Sequence, residues 1–145
     1  MQDEIKISRV DSSAGEKTAG LQFFENRVHA GFPSPAQGEY ADSIDLNRAL
    51  ITNPASTFCA RVIGDSMVDA GINEGDLLII DRSITPHDGS IAVCFIDGEF
   101  TVKRLSMHDD GIYLTPANAS YPELRVTEDS RFTVWGVVSH IIKKL

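Results

Sequence analysis

The fold class is decided by residues 90–105, SIAVCFIDGEFTVKRL. Two runs rich in aliphatic, aromatic and β-branched residues flank the dipeptide Asp97-Gly98. This dipeptide is a strong signal for a tight hairpin turn, because both residues tolerate a positive φ. The stretch therefore predicts two antiparallel strands joined directly by Asp97 and Gly98.

Further short strands are predicted on both sides of this hairpin, separated by turns that contain Gly, Pro or Asp. They are residues 57–63, 77–81, 111–116 and 132–138. One short helix is predicted between Asp42 and Asn53, where the apolar residues follow helical spacing and Pro54 ends the pattern. Short strands at regular spacing indicate a mainly all-β fold, a sandwich or half-barrel, with a short N-terminal helix.

Length and charge limit the function classes. The chain has 145 residues, which suits one domain, and 13 basic against 21 acidic residues give a net charge of −8. An acidic protein repels phosphate groups, so direct binding to DNA or to an anionic membrane is not expected. No apolar run approaches the roughly 20 residues of a spanning helix. Cys59 and Cys94 show no metal spacing and are interpreted as buried free thiols in a reducing cytoplasm.

The N-terminal region has a different composition. The first 20 residues contain few large apolar side chains and are predicted to form a mobile arm. Residues 28–35, VHAGFPSP, contain two prolines and a glycine within five positions, which exclude a helix and a central strand. The segment is predicted to be extended, which is the shape that a protease binds. An ordinary linker is the alternative interpretation.

Ser66 is the first candidate for chemistry. It follows a predicted strand in the sequence Gly64-Asp65-Ser66-Met67, where glycine allows close approach of a ligand and turn amides can donate to an oxyanion. The structural alternative is a serine that caps a turn or helix, with Asp69 three residues later as in a capping box.

Lys103 is the second candidate. Strand alternation places Lys103 and Arg104 on opposite faces, so one of these two bases must point toward the packed side. A desolvated lysine loses its proton far more readily than arginine, and a neutral amine beside a serine hydroxyl is a general base for acyl transfer. The structural alternative is an edge-strand lysine that prevents edge pairing.

No competing catalytic or metal site is evident. The four histidines lack the paired spacing of metal ligands; they are His29, His87, His108 and His140. The acidic residues after Ser66 do not match a calcium-binding loop. The sequence therefore predicts no metal and no cofactor.

Five motifs together resemble the UmuD-like branch of the LexA-type self-cleaving proteins, over residues 28–142. They are AGFPSPA (30–36), GDSM (64–67), DLLIID (76–81), DGEFTVKRL (97–105) and VWGVV (134–138). The resemblance implies a β-rich catalytic domain in which Ser66 is the nucleophile and Lys103 the general base. It implies cleavage at Ala30–Gly31, with Val28 in a substrate subsite and backbone amides near Met67, chiefly that of Ser66, as the oxyanion hole.

The resemblance also implies a domain organisation and a set of partners. Residues 1–30 would be a flexible, cleavable arm, and residues 31–145 a Ser-Lys peptidase and dimerisation domain. A RecA filament on single-stranded DNA would act as co-protease. The shortened homodimer would then join a UmuC-type Y-family polymerase in error-prone translesion synthesis during the SOS response. It would act in the cytoplasm, with no membrane association and no direct sequence-specific contact to DNA.

Two alternative functions remain open from the sequence. The first is the C-terminal domain of a LexA-like repressor. The 30 residues before Gly31 argue against this function, because they are acidic and carry no helix-turn-helix pattern. The second is a non-catalytic interaction module, in which GDSM is only a turn.

Overall fold

The computed structural model describes residues 5–9, 21–23, 28, 30–33 and 42–145. The strands in these ranges are β1 (Ile5–Arg9), β2 (Leu21–Phe23), β3 (Asp42–Ile44), β4 (Thr57–Val62), β5 (Leu77–Asp81), β6 (Ile91–Ile96), β7 (Glu99–His108), β8 (Gly111–Thr115), β9 (Leu124–Arg125) and β10 (Phe132–Ile142). The helix α1 spans Leu46–Leu50, and 3-10 helices span Pro54–Ser56 and Val68–Ala70. β1 and residues 53–145 belong to a larger unit; β2, β3 and α1 belong to a smaller one.

The larger unit contains one eight-stranded sheet in the order β1-β4-β5-β10-β6-β7-β8-β9. Every neighbouring pair is antiparallel. β10 connects the two halves of the sheet, because its first part pairs with β6 and its second part with β5. The predicted all-β fold with one short helix is therefore confirmed.

The hairpin between β6 and β7 has the predicted turn. Asp97 and Gly98 have φ values of +48° and +86°, and Ile96 pairs with Glu99 on either side of them. Positive φ at both turn positions matches the right-handed twist of the strands. This turn sets the register of β7 against β6.

The core forms two clusters on opposite faces of the sheet. The first cluster contains Ala60, Val62, Met67, Ile72, Leu78, Ile80, Val93 and Val102. The second cluster contains Ala92, Cys94, Leu105 and Leu114. Neighbouring residues of β6 and β7 therefore alternate between the clusters, which explains why both strands are apolar along most of their length.

β1 was not predicted from the sequence. It pairs antiparallel with β4, with Ile5 opposite Val62 and Arg9 opposite Phe58. The scarcity of large apolar side chains in the first 20 residues suggested no regular structure. The strand nevertheless forms, because the open edge of β4 offers backbone hydrogen bonds, and pairing of that kind does not depend on a large apolar surface. The flexibility of residues 1–30 as a whole and the domain boundary at residue 31 stay predictions.

The smaller unit contains the β2–β3 pair and α1. Leu21 lies opposite Ile44 in this pair. The Asp45 carboxylate accepts a hydrogen bond from the backbone N–H of Asn47 at 3.0 Å and caps α1. The predicted helix is thus confirmed, although it begins at Leu46, after a strand. In the part of the chain that the structure describes, no helix is long and apolar enough to cross a membrane.

Candidate active site

Ser66 lies in the turn that follows β4. The chain leaves the strand at Val62, turns at Gly64, where φ is +96°, and enters the 3-10 helix Val68–Ala70. Glycine suits this φ because it has no side chain to strain. Ser66 is buried, with 1 % of its surface exposed. Buried hydroxyl groups in proteins have hydrogen-bond partners, so the neighbours of Ser66 Oγ define the candidate site.

Lys103 provides a hydrogen bond to this hydroxyl. Its Nζ donates to Ser66 Oγ at 3.0 Å. The same nitrogen donates to Thr101 Oγ1 at 2.8 Å and to the carbonyl oxygen of Val102 at 3.0 Å. The sheet thus brings together the two residues singled out in the sequence, and two groups of β7 hold the amine against the serine.

The predicted alternation along β7 is confirmed. Lys103 is half-buried and Arg104 is exposed. Val102 packs in the first cluster, whereas Leu105 packs in the second. Both faces of β7 therefore carry packed side chains, and Lys103 differs from Arg104 in being half-buried and within hydrogen-bond distance of Ser66.

Cys94 lies on β6, directly opposite Thr101, and is completely buried. Burial raises the pKa of its thiol to about 12, although the positive charge of Lys103 acts in the other direction. The thiol is therefore protonated at neutral pH and does not compete with Ser66 as a nucleophile. Both cysteines are free, and Cys59 is half-buried rather than buried.

The connection between β8 and β9 holds the serine turn. The side-chain amide of Asn118 donates to the backbone carbonyl of Asp65 at 2.9 Å, and Tyr121 OH donates to the Asp65 carboxylate at 2.6 Å. On the other side of the serine, the backbone N–H of Asp69 donates to the carbonyl oxygen of Ala117 at 2.7 Å. These contacts were missed in the sequence because the connection carries no periodic pattern.

A cleft of about 270 Å³ opens beside Lys103. Its lining is mainly apolar and includes Ile96, Phe100, Leu114, Tyr121, Pro122 and Leu124. An apolar cleft with a few polar groups at one end is the common form of a site for a small molecule or a peptide side chain. The cleft therefore offers space for a substrate next to Lys103, the hydrogen-bond partner of Ser66.

The residues of the predicted cleavage site lie in the smaller unit. Ala30 and Gly31 are exposed, and Gly31 has a φ of +137°. Val28 is 87 % exposed. His29 and residues 34–36 of the AGFPSPA motif lie outside the described residues.

Met67 follows Ser66 and is 2 % exposed. Its side chain belongs to the first cluster, and its Sδ accepts a hydrogen bond from the backbone N–H of Ala117 at 3.4 Å. The side chain of Met67 is therefore part of the core, and its predicted contribution to substrate binding, through backbone amides of an oxyanion hole, stays a prediction.

The histidines in the described part of the chain have other neighbours. His87 Nδ1 lies 2.8 Å from the carbonyl oxygen of Asp88, the His108 ring packs edge-on against Tyr113, and His140 Nδ1 lies 2.9 Å from Ser139 Oγ. Across the residues that the structure describes, no group of three or more His, Cys, Asp or Glu side chains is arranged to hold a metal ion.

Comparison with known proteins gives consistent matches. Residues 22–139 match the family model described as peptidase S24-like. Protein MucA of Salmonella typhimurium is 39 % identical over 137 residues, covering 94 % of this chain and 93 % of MucA. Protein SamA of Salmonella typhimurium (strain LT2) is 44 % identical over 129 residues, covering 89 % and 88 %. The LexA repressor of Stenotrophomonas maltophilia is 38 % identical over 117 residues, covering 81 % of this chain but 55 % of the repressor.

Proposed function

The chain belongs to the peptidase S24-like family and has UmuD-like relatives, and on this basis we propose that it is a serine peptidase that cleaves its own chain between Ala30 and Gly31. Ser66 is the nucleophile and Lys103 the general base. The observation that carries the assignment is the hydrogen bond of 3.0 Å between Lys103 Nζ and Ser66 Oγ. A nucleophile and a base within hydrogen-bond distance are what acyl transfer requires.

The reaction follows from this geometry. Lys103, as a neutral amine, accepts the proton of Ser66 Oγ while the oxygen attacks the carbonyl carbon of Ala30. Backbone amides at Ser66 and Met67 donate to the oxyanion of the tetrahedral intermediate. When the peptide bond breaks, the proton on Lys103 passes to the nitrogen of Gly31. The same amine then activates a water molecule that hydrolyses the ester and restores Ser66.

The surroundings of Lys103 support its role as base. Lysine can lose its proton inside a protein, whereas arginine cannot. Thr101 and the carbonyl oxygen of Val102 accept hydrogen bonds from the same nitrogen, so the amine is oriented before the reaction starts. Orientation before reaction lowers the barrier because less freedom is lost on reaching the transition state.

The exposed segment around Ala30 supports its role as substrate. Val28 and the small side chain of Ala30 are the residues proposed to enter substrate subsites. Gly31 and Pro33 disfavour regular secondary structure, so the segment can be extended as a protease requires. Cleavage would leave residues 31–145 as the product.

The biological setting is proposed from the UmuD-like resemblance. A RecA filament on single-stranded DNA stimulates the cleavage as part of the SOS response to DNA damage. The product forms a homodimer that supports error-prone translesion synthesis by a UmuC-type Y-family polymerase in the cytoplasm. The net charge of −8 supports a protein that reaches damaged DNA through partners rather than by direct contact.

Substitution of the two site residues tests the proposal. The full chain is incubated with RecA, single-stranded DNA and a nucleoside triphosphate, and the products are separated on a gel. We expect a fragment that begins at Gly31 for the wild type and none for Ser66→Ala or Lys103→Ala. Arg104→Ala is the matched control, because Arg104 is the neighbouring base and is exposed, and it should be cleaved normally.

The same experiment separates the alternatives. Loss of residues 1–30 from Ser66→Ala or Lys103→Ala would contradict the assigned roles. A wild-type chain that stays intact would favour a non-catalytic interaction module. Sequence-specific DNA binding by the purified chain would favour a repressor. The match to MucA over 93 % of its length, against 55 % of the LexA repressor, supports the UmuD-like function.

A further inference from the structure

We infer that Tyr121 is a positioning residue that couples the wall of the cleft to the orientation of Ser66. Its hydroxyl group bonds to Asp65, the residue directly before Ser66, while its side chain lines the cleft beside Lys103. The inference rests on the proposed function, because it assigns Tyr121 a part in the reactivity of Ser66.

Tyr121 makes a short contact to Asp65. Tyr121 OH lies 2.6 Å from Asp65 Oδ1, a short distance typical of a hydrogen bond to a charged acceptor. The backbone carbonyl of Asp65 also accepts a hydrogen bond from Asn118 Nδ2 at 2.9 Å. Asp65 is thus held through its side chain and its backbone by residues of one connection.

The same connection between β8 and β9 also holds the other side of the serine turn. The N–H of Asp69 donates to Ala117 O at 2.7 Å, and the N–H of Ala117 donates to Met67 Sδ at 3.4 Å. Residues before and after Ser66 are therefore attached to residues 117–121. Any displacement of this connection changes the direction in which Ser66 Oγ faces Lys103 Nζ.

Tyr121 also forms part of the cleft wall. Tyr121, Pro122 and Leu124 line the cleft together with Lys103. A substrate segment in the cleft contacts the tyrosine ring, and the ring carries the hydroxyl group that holds Asp65. Substrate binding and the serine turn are thereby linked through one side chain. Because proton transfer needs a well-aligned hydrogen bond, this link affects the rate of the chemical step.

The test measures the reactivity of Ser66 with a small fluorophosphonate, which does not depend on docking of residues 28–33. Ser66 Oγ attacks phosphorus, fluoride leaves, and Lys103 accepts the proton. Labelling of the full chain is followed by intact mass at several probe concentrations. For Tyr121→Phe we expect the maximal labelling rate to fall about tenfold, because Ser66 Oγ is aligned with Lys103 Nζ in a smaller fraction of the molecules. The half-saturating probe concentration should stay unchanged.

A matched control is available in the same chain. Tyr113 OH donates to Asp110 Oδ2 at 2.7 Å, in a similar tyrosine–aspartate pair at the β7–β8 turn. Tyr113→Phe removes an equivalent hydrogen bond and should leave the labelling rate unchanged. An equal loss of rate in both variants would overturn the inference, because it would indicate a general effect of losing such a bond.

Substitutions at Asp65 complete the test. Asp65→Ala should lower the labelling rate as much as Tyr121→Phe does. Asp65→Asn should keep most of the wild-type rate, because its amide oxygen still accepts the hydrogen bond from Tyr121. The double variant Tyr121→Phe/Asp65→Ala should be no slower than either single variant. Additive losses, or wild-type labelling of Tyr121→Phe, would contradict the role. Amide hydrogen exchange over residues 65–69 gives a second readout, and we expect faster exchange in Tyr121→Phe than in the wild type. Unchanged exchange would also contradict the proposed role of Tyr121.

Failure of this inference can be told apart from failure of the proposed function. If the wild type and Ser66→Ala label equally, Ser66 is not an activated nucleophile, and both proposals fall. If the wild type labels, Ser66→Ala does not, and Tyr121→Phe labels like the wild type, the proposed function stands and only the role of Tyr121 is wrong.

Discussion

Lys103 and Arg104 are adjacent bases with different surroundings. Lys103 is half-buried and donates to an oxygen of Ser66, to Thr101 and to Val102, whereas the Arg104 side chain is exposed. The proposed base must be able to lose its proton, which lysine can do inside a protein and arginine cannot. At the residue scale, the proposed chemistry therefore depends on which of the two bases lies against Ser66.

A pH profile tests the role of Lys103. Self-cleavage without RecA should accelerate as the pH rises, because the neutral amine is the form that accepts the serine proton. Lys103→Arg keeps the positive charge but should slow cleavage by a factor of about 100 or more. The rate is followed on gels from mildly acidic to alkaline pH, with Arg104→Lys as control. A flat profile for the wild type would contradict the assignment.

β10 is the element that joins the two halves of the sheet. Its register shifts between Val134 and Gly136, where it pairs with β6, and again between Val138 and His140, where it pairs with β5. Gly136 lies close to β5: an added Cβ would lie 2.6 Å from Ile80 Cγ2. The absence of a side chain at this position allows β10 to pass over Ile80 of the first cluster.

Gly136→Ala tests this close approach. We expect the free energy of unfolding to fall by about 1–3 kcal/mol, because a methyl group forced into a packed core displaces its neighbours. Urea denaturation measures the change, and Thr133→Ala at an exposed position of the same strand should have a much smaller effect. An unchanged midpoint for Gly136→Ala would show that Ile80 can move aside at no cost.

At the scale of the whole molecule, two buried acids connect distant segments. Asp76 accepts hydrogen bonds from Lys143, near the end of the chain, and from the backbone N–H of Asn73. Burial alone would raise the pKa of Asp76, but these hydrogen bonds outweigh it and the pKa is lowered. The pKa of Asp81 is lowered in the same way, with burial opposed by hydrogen bonds from Ser83 and Ser56.

These lowered pKa values predict sensitivity to acid. A carboxyl group whose pKa is lower in the folded state stabilises the fold above its ordinary value of 3.8, and this contribution is lost as the pH falls through the folded pKa. The melting temperature should therefore fall below pH 4. Asp76→Asn should reduce the steepness of this fall, whereas Asp109→Asn at an exposed turn should not. A full acid response in Asp76→Asn would contradict the role of the Lys143 contact.

Much of the fold was predictable because the signals are local. The Asp97-Gly98 turn, the alternation along β7 and the apolar runs of β5 and β6 each depend on a few consecutive residues. β1, β2, β3 and β9 were not predicted, because short strands form where a neighbouring strand accepts them rather than where their own composition requires it. Ser66 and Lys103 were predicted as candidates because hydroxyl and amine groups at a turn and on a packed strand carry recognisable chemistry.

By itself, therefore, the sequence determined the mainly all-β class, the central hairpin and the two residue types of the candidate dyad. Only the tertiary structure decided that Lys103 Nζ meets Ser66 Oγ across 37 positions of the chain, and that Tyr121 holds Asp65. The physical reason is that periodicity and turn preference act over a few residues. Contacts between distant residues depend instead on strand order and on the path of the connections, which follow from packing of the whole sheet.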